Sequence, residues 1–428
     1  MVVRFSHRVD ISEPNAITAA QRDAAQHGRK LYQLNDSNPT HHGLAPIGLP
    51  PLYEAEPRGQ HEAREALAKF LSARVEGTDA ENEVQGRPAD FAVPGEASST
   101  AITFGNVQAR RTVDPNNLYL TSSTSEAYSW LMKLLCDPGD AILCPTPGYP
   151  LIESIGRLEG VETVPYPLRY DGSWTIDVTA VERQLADPQT GSRLRAVILI
   201  NPNNPTGSYV SGSDYDHIVA LCEQYGVALI ADEVFFDFPL LPLETPHRVA
   251  GEKRVLTFGL DGFSKMLAAP HAKVGWIEVS GPANDVAAAE GRLDVIADDF
   301  LPMSGIIAER FPGMLTQVPA QLLRLRERTR NNLVNLEVQL KTSSSGVVSL
   351  LRPEGGWNVL LRFPSVLDEN ELVDNLIEQH AMTAQPGYFF DMVSNGYVAV
   401  SLLPEPEEFS RGISTLLNTI DQMVGTGK

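Results

Sequence analysis

The chain has 428 residues and a formal net charge of −20, because 54 acidic side chains outnumber 34 basic ones. This length predicts about two domains, since a domain typically holds roughly 100–200 residues. Proteins that bind nucleic acid or anionic membranes use clusters of Lys and Arg. In the most basic run, residues 324–330, the arginines alternate with polar and apolar residues, which is typical of a solvated helix face. The composition therefore argues against nucleic-acid and membrane-surface binding.

Cysteine usage and hydropathy narrow the class further. Cys136, Cys144 and Cys222 are scattered, with neither disulfide nor zinc-ligand spacing, so we expect no metal site and a reducing compartment. The N-terminus lacks the unbroken apolar core of a signal peptide, and no run of about 18 apolar residues occurs. These features predict a soluble, cytoplasmic protein.

The N-terminal quarter of the chain predicts two helices among loops. Residues 16–27 are rich in Ala and Gln, follow a Ser-Glu-Pro-Asn start signal and end at a glycine. Residues 36–51 are dense in Pro, Gly and Asn, which predicts a loop, and residues 61–74 predict the second helix. Residues 75–110 show little periodicity, and a loop of such length is usually functional or disordered.

Between residues 118 and 279, short apolar runs alternate with longer helical stretches. That alternation is typical of β-α-β units, in which helices cover a largely parallel sheet. The predicted strands are residues 141–144, 196–200, 227–231, 255–258 and 274–279, and two of the predicted helices are residues 126–135 and 215–225.

The C-terminal region mixes the two types of element. A long predicted helix, residues 317–339, leads into further predicted elements, with strands at 357–363 and 397–402 and helices at 369–380 and 406–424. This mixture predicts a smaller α+β domain. We expect residues 1–48 to join that small domain, residues 49–310 to form a large α/β domain, and residues 311–428 to form the rest of the small domain.

Three motifs follow successive predicted strands of the large domain. They are Asn201-Pro-Asn-Asn-Pro-Thr-Gly207, Ala231-Asp-Glu-Val234 and Phe263-Ser-Lys265. Taken singly, each is explained by a turn, a helix cap or a solvated lysine. The carboxyl ends of parallel strands meet at one edge of a sheet, where doubly wound folds bind ligands. The three motifs together therefore predict one shared crevice.

With these motifs the sequence resembles the class I/II aminotransferases, enzymes of fold type I that use pyridoxal phosphate. The resemblance covers nearly the whole chain and implies a mainly parallel, seven-stranded type of sheet covered by helices. It further implies that Lys265 forms a Schiff base with the cofactor and moves protons. Asp232 would keep the pyridine nitrogen protonated, and Asn204 would hydrogen-bond the phenolic oxygen.

Three further stretches resemble cofactor-binding segments of the family. The run Thr121-Ser-Ser-Thr-Ser-Glu-Ala127 would meet the phosphate at a helix N-terminus, chiefly through Ser123, Thr124 and Ser125. Tyr149 corresponds to an aromatic residue that stacks on the cofactor. Tyr53 resembles a tyrosine that reaches the phosphate of a partner subunit, although a core position explains it almost equally. The match implies a homodimer with shared active sites.

Four positions depart from the family pattern. Phe235 stands where a tyrosine usually bonds the cofactor oxygen, and Gly262 stands where many members have a phosphate-binding serine. Lys273 replaces the phosphate-binding arginine, so the charge remains but the bidentate fork is lost. Ala399 replaces the arginine that clamps the substrate α-carboxylate in the family.

The missing arginine leaves the fate of the substrate carboxylate open. Arg362, His41 or His42 are candidates to replace it, and Arg362 is explained at least as well as a surface strand end. Either the carboxylate is held differently or the substrate is unusual. The dianionic cofactor also needs a positive pocket, for which Lys265, Lys273 and the amides of residues 123–125 are the visible candidates.

The resemblance leaves more than one function open. The first is transamination of an amino acid or derivative. The second is elimination or replacement of a β or γ substituent, as in C–S lyases and the aminocyclopropane-carboxylate synthases that use S-adenosylmethionine; Ala399, Phe235 and the 75–110 segment suit a specialised substrate. A cofactor-binding regulator is a third function, disfavoured because Lys265 is intact and no basic DNA-binding module is present.

Overall fold

The fold is described from a computed structural model of the chain. It describes residues 3–9, 16–29, 39–42, 44–74, 111–242, 246–343 and 345–426. The predicted loop at residues 75–110 lies outside the described residues, as does part of the predicted loop at 36–51.

The strands of the described residues form two sheets. The larger sheet has eight strands in the order β1-β8-β7-β6-β5-β2-β3-β4, and the smaller has four in the order β11-β12-β10-β9. The strands are β1 (Leu118–Thr121), β2 (Ala141–Thr146), β3 (Glu162–Tyr170), β4 (Trp174–Ile176), β5 (Leu194–Ile200), β6 (Ala228–Asp232), β7 (Thr257–Gly262), β8 (Gly275–Ser280), β9 (Ser349–Leu350), β10 (Asn358–Arg362), β11 (Gln385–Pro386) and β12 (Tyr397–Ser401).

Most strand pairs of the large sheet are parallel. Strands β3, β2, β5, β6 and β7 run in one direction, whereas β8 is antiparallel to both β7 and β1. The three-residue β4 extends the sheet by pairing with β3 as a hairpin. This architecture confirms the predicted α/β, fold type I class with a mainly parallel sheet, and the sheet has eight strands where the resemblance implied a seven-stranded type.

The helices cover both sheets. They are α1 (Ala16–Gln26), α2 (His61–Ala73), α3 (Thr124–Leu135), α4 (Leu151–Glu159), α5 (Val178–Ala186), α6 (Gly212–Tyr225), α7 (Phe263–Met266), α8 (Ala283–Phe300), α9 (Gly305–Leu315), α10 (Val318–Thr342), α11 (Glu369–His380) and α12 (Pro406–Thr426). Short 3-10 turns include Pro270–Ala272 and Gly387–Phe390. In the described parts of the chain, no helix is both long and apolar enough to cross a bilayer.

The central strands are apolar throughout because helices bury both of their faces. On β5, Ile198 packs in a core with α3 and α8, while its neighbour Val197 packs in a core with α5 and α6. Both side chains are fully buried. Full burial of such a side chain contributes about 1.5–3 kcal/mol, so the sheet is held from both sides.

Some predicted boundaries shift in ways that matter for the crevice. Strand β7 continues to Gly262, beyond the predicted end at residue 258, and leads directly into α7. Helix α3 begins at Thr124 rather than at residue 126, and Ser123 is its N-cap. The predictions assign no element to residues 283–315, where the structure has α8 and α9.

The N-terminal residues that the structure describes contact the large sheet. Val3 and Val9 join the core that contains α3, and the amide of Ser6 donates to Leu134 O at 2.9 Å. The division of the chain into residues 1–48, 49–310 and 311–428 stays a prediction.

Candidate active site

The three predicted motifs lie at one edge of the large sheet. Strands β5, β6 and β7 are parallel neighbours, and the register pairs Ile200 with Asp232 and Asp232 with Leu260. The amide of Asn201 donates to Asp232 O at 2.8 Å, so the first motif starts beside the second. Lys265 follows three residues after the end of β7. The carboxyl ends of three adjacent strands thus deliver the motifs to one place.

The Lys265 amine lies among aromatic rings. Its Nζ is 5.2 Å from the ring centre of Phe235 and 5.2 Å from that of Trp357. Burial lowers the pKa of Lys265, and the charge of Asp232 opposes that effect. A lowered pKa favours a neutral amine, which is the form that acts as a nucleophile or a base. Phe235, which departs from the family tyrosine, therefore forms an apolar wall beside the amine.

Asp232 is a buried carboxylate held by neutral donors. The hydroxyl of Tyr128 donates to its Oδ2 at 3.0 Å, and the amide of Val234 donates to Oδ1 at 3.2 Å. Burial raises the pKa of Asp232 to about 6 despite these two hydrogen bonds. Sequence reasoning missed Tyr128, which reads as a core residue of α3; its only signal is a hydroxyl on the buried helix face, close after the Ser/Thr run.

Asn204 lies in a loop whose ends are fixed by side chains. Asn201 Oδ1 accepts from Val210 N at 3.0 Å, and Asn201 Nδ2 donates to His247 O at 2.8 Å. Within the loop, Asn203 Oδ1 accepts from Thr206 Oγ1 at 2.9 Å. Asn204 itself is half-buried, and its Oδ1 accepts from Asn358 Nδ2 at 3.0 Å. Asn358 is the second residue that sequence reasoning missed.

Close backbone packing forms the end of the crevice where a phosphate is predicted. A Cβ on Gly275 would lie 2.8 Å from Ser123 C, and one on Gly262 would lie 2.7 Å from Val274 O. Gly262 therefore stands in place of the family serine because the neighbouring backbone leaves no room for a side chain. This packing brings the Lys265 segment and the N-terminus of α3 together.

The N-terminus of α3 supplies the predicted phosphate donors. Ser123 Oγ accepts from Glu126 N at 3.2 Å, so that hydroxyl serves as the helix cap. An α-helix gives its first amides no internal partner, which leaves those of Thr124 and Ser125 for an anion. Lys273 lies two residues before Gly275, but its side chain is exposed, and a phosphate contact of Lys273 stays a prediction.

The two predicted tyrosines occupy different settings. Tyr149 is 41% exposed, and burial followed by the charge of Asp232 raises its pKa, so it faces the same crevice. Tyr53 is 40% exposed, and its amide donates to Thr40 Oγ1 at 2.9 Å. The structure thus brings Tyr149 to the crevice and leaves Tyr53 on the surface of this chain.

Ala399 lies in an apolar cluster between the two sheets. It is 5% exposed and packs with Trp174, Leu360 and Phe390. Arg362, one candidate to replace the arginine, is exposed and lies two residues beyond Leu360 on β10, where it pairs with Tyr397. His41 faces Glu54, with 3.4 Å between Nε2 and Oε1.

The residues present suit pyridoxal phosphate. A buried carboxylate normally needs a cationic partner, yet among the described residues no Lys, Arg or His nitrogen lies within 4.0 Å of Asp232. A protonated pyridine nitrogen would supply that charge. The apolar-walled Lys265 amine and the unpaired amides of α3 match the other two polar ends of the cofactor. No group of three or more His, Cys, Asp or Glu side chains among the described residues could hold a metal ion.

Comparisons with known proteins agree with this chemistry. Residues 95–413 match the family model described as aminotransferase class I and II. The chain is 34% identical over 184 residues to the mitochondrial alanine aminotransferase 1 of Arabidopsis thaliana, a match that covers 40% of this chain and 34% of that protein. The match thus spans about a third of this relative's length.

Solved structures with the same fold include aminotransferases. An alanine aminotransferase from Pyrococcus furiosus superposes with a TM-score of 0.71 at 19% identity, covering 98% of this chain and 92% of that one. A pyridoxal-phosphate-bound putative aminotransferase from Clostridium difficile 630 gives a TM-score of 0.67 at 15% identity, covering 98% and 92%. At these identities the likeness establishes the fold.

Proposed function

We propose that this chain, which belongs to the aminotransferase class I and II family, is a pyridoxal-phosphate-dependent transferase that moves the amino group of an amino acid or derivative to an oxo acceptor. The observation that carries the proposal is the meeting of Asn204, Asp232 and Lys265 at the carboxyl ends of β5, β6 and β7. The bound cofactor supplies an electron sink for the bond broken at the substrate Cα.

Lys265 is proposed as both anchor and proton carrier. In the free protein its amine lies beside Phe235 and Trp357, and burial lowers its pKa. That environment favours the neutral amine needed to form the Schiff base. When released, the same amine would accept the proton from the substrate Cα and give it back. The rings of Phe235 and Trp357 would limit the access of water to it.

The other residues hold the cofactor in place. We propose that Asp232 keeps a proton on the pyridine nitrogen and that Asn204 donates to the phenolic oxygen. Tyr149 would stack on the ring, and the α3 N-terminus, with Ser123, Thr124 and Ser125, would bind the phosphate with Lys273 nearby. A helix N-terminus attracts an anion through its amides and its dipole.

The substrate is proposed to be held without the usual arginine. The position of Ala399 is apolar and buried, so a carboxylate placed against it would lose hydration without gaining a cation. Neutral donors or a cation beside the cluster, such as Arg362, therefore hold the substrate group on this side, or the group is not a free carboxylate. A panel of substrates identifies the classes of amino donor and acceptor.

A homodimer is also proposed. The segment 44–53 exposes four large aliphatic side chains, and its Tyr53 is a candidate to reach the partner's phosphate. A second copy of the chain is the expected cover, and the mass in solution tests it by light scattering. The aliphatic residues are Leu44 at 70% exposure, Ile47 at 106%, Leu49 at 48% and Leu52 at 51%.

The reaction type is tested by incubating the purified protein with pyridoxal phosphate, a panel of amino acids and S-adenosylmethionine. Visible absorbance follows the bound cofactor, and mass spectrometry identifies the products. An oxo acid together with pyridoxamine phosphate supports transamination. Released methylthioadenosine supports the elimination alternative, and the absence of both products from every substrate counts against the proposal.

A further inference from the structure

The small sheet contributes one polar side chain that touches a proposed cofactor ligand. Asn358, the first residue of β10, donates from Nδ2 to Asn204 Oδ1 at 3.0 Å. Both side chains are half-buried, so the bond is partly shielded from competing water. A shielded hydrogen bond is stronger than an exposed one, because the local dielectric constant is lower.

Backbone contacts fix Asn358 in this position. The amides of Glu354 and Gly355 donate to Gly207 O at 3.1 and 2.8 Å, and a Cβ on Gly207 would lie 2.6 Å from Gly355 O. The segment that leads into β10 thus lies directly against the end of the Asn201–Gly207 motif.

The next residue reinforces this placement. Trp357 packs its ring 5.4 Å from that of Phe235 and 5.1 Å from that of Phe238. Its carbonyl accepts from Leu402 N at 2.7 Å, which ties the start of β10 to the end of β12. Asn358 is therefore held from both sides of the crevice, and its amide reaches Asn204 without a flexible linker.

In this bond the oxygen of the Asn204 amide faces Asn358. An asparagine side chain has one acceptor oxygen and one donor nitrogen. With the oxygen turned to Asn358, the nitrogen points away, and among the described residues Asn204 Nδ2 has no protein partner. Ala399, on the neighbouring strand, has no side-chain polar atom to orient Asn204 in this way.

We propose that Asn358 is a positioning residue that turns the Asn204 amide so that its N–H donates to the phenolic oxygen of the cofactor. This inference rests on the proposed function. A donor at that oxygen stabilises its anionic form, and the anion then holds the proton of the neighbouring Lys265–cofactor nitrogen less tightly. Loss of the orientation raises the pKa of that nitrogen.

The test is a spectrophotometric pH titration of the holoenzyme. We expect Asn358→Ala to raise the pKa of the Lys265–cofactor linkage by about half to one unit, the equivalent of one ordinary hydrogen bond. Asn358→Asp is expected to raise it at least as much, because a carboxylate attracts the Asn204 N–H away from the cofactor. Asn204→Ala should raise it most, and adding Asn358→Ala to Asn204→Ala should have no further effect.

Ser401→Ala is the matched control. Ser401 pairs directly with Asn358 across the small sheet, and its Oγ accepts from Leu403 N at 3.2 Å rather than contacting Asn204. This variant should titrate like the wild type. Thermal melting confirms that each variant is folded.

Two outcomes overturn the inference: Asn358→Ala titrates like the wild type while Asn204→Ala is shifted, or the two shifts add in the double variant. Both outcomes require a wild type that binds the cofactor at Lys265. Failure of the wild type to develop visible absorbance with pyridoxal phosphate instead contradicts the proposed function.

Discussion

The two walls of the crevice differ in how they treat charge. The large-sheet wall carries a buried carboxylate, a shielded amine and a helix N-terminus, all suited to a charged cofactor. The small-sheet wall offers Asn358 and, two residues along the strands, the apolar pair of Leu360 and Ala399. The difference indicates that the charged groups proposed to hold the cofactor lie on the large-sheet wall, while the small-sheet wall adds the neutral amide of Asn358.

The largest expected effect is on the large-sheet wall. Lys265→Ala removes both the proposed anchor and the proposed proton carrier, so turnover should fall by at least about 10⁴-fold, or more than about 5 kcal/mol of barrier. Single-turnover kinetics and the loss of the visible band measure it. Lys69→Ala, an exposed lysine on α2, is the control. Retention of the wild-type band in Lys265→Ala would assign the anchor to another amine.

On the small-sheet wall, Ala399→Arg should destabilise the fold. The guanidinium would lie among Trp174, Leu360 and Phe390 without a partner, and an unpaired buried charge typically costs about 3–5 kcal/mol. Chemical denaturation measures the free energy of unfolding. Ala399→Met adds a long side chain without the charge and separates overpacking from desolvation. An Ala399→Arg variant that is as stable as the wild type and binds amino acids more tightly would show that this wall accepts a carboxylate.

The buried carboxylate should also appear in the pH dependence of the cofactor-free protein. The pKa of Asp232 is about 6 in the fold, above its ordinary value of 3.8. Asp232 therefore favours folding below about pH 4, and this contribution is lost as the pH rises through about 6. Asp232→Asn removes the titration, so at pH 7 the variant should be more stable than the wild type by up to about 3 kcal/mol.

The comparison of these unfolding curves needs a neutral reference. Asp298→Asn, an exposed position near the end of α8, should show a difference from the wild type that does not grow with pH. If the Asp232→Asn difference is equally flat between pH 4 and 7, the carboxylate is not isolated in the cofactor-free fold.

The smallest effect concerns Tyr128. Tyr128→Phe removes the hydroxyl that donates to Asp232, which should raise the pKa of that carboxyl further and weaken cofactor binding about tenfold. Titration of the cofactor into the free protein measures the dissociation constant. Tyr166→Phe removes another buried hydroxyl, one that donates to Ile198 O at 2.6 Å, and should bind the cofactor like the wild type. Equal losses in both variants would reduce the role of Tyr128 to general packing.

Candidate residues on the large-sheet wall are easier to identify from the sequence than those on the small-sheet wall, for a physical reason. Buried parallel strands are recognisable as apolar runs, and the polar residues that follow them stand out, as Asp232 and Lys265 do. Asn358 is the half-buried first residue of β10, and its significance depends on a contact with a residue 154 positions away in sequence. No periodic pattern of apolar and polar residues in the nearby sequence predicts such a contact.

The sequence also does not predict the buried ion cluster behind the crevice. Arg248 pairs with Glu233 at 3.3 Å and with Asp237 at 3.1 Å, and Arg74 lies against Asp237 and Asp261. These charges look like ordinary surface residues in the sequence. Only the fold shows that they are buried together.

The contact between Gly207 and Gly355 gives the two walls a common reference point. Hydrogen bonds between main chains join them there, so the alignment of the walls does not depend on which side chains line the crevice. A substitution at a position such as 399 then leaves the two walls aligned. A fold joined in this way can change its substrate specificity while the proposed cofactor-binding residues keep their positions.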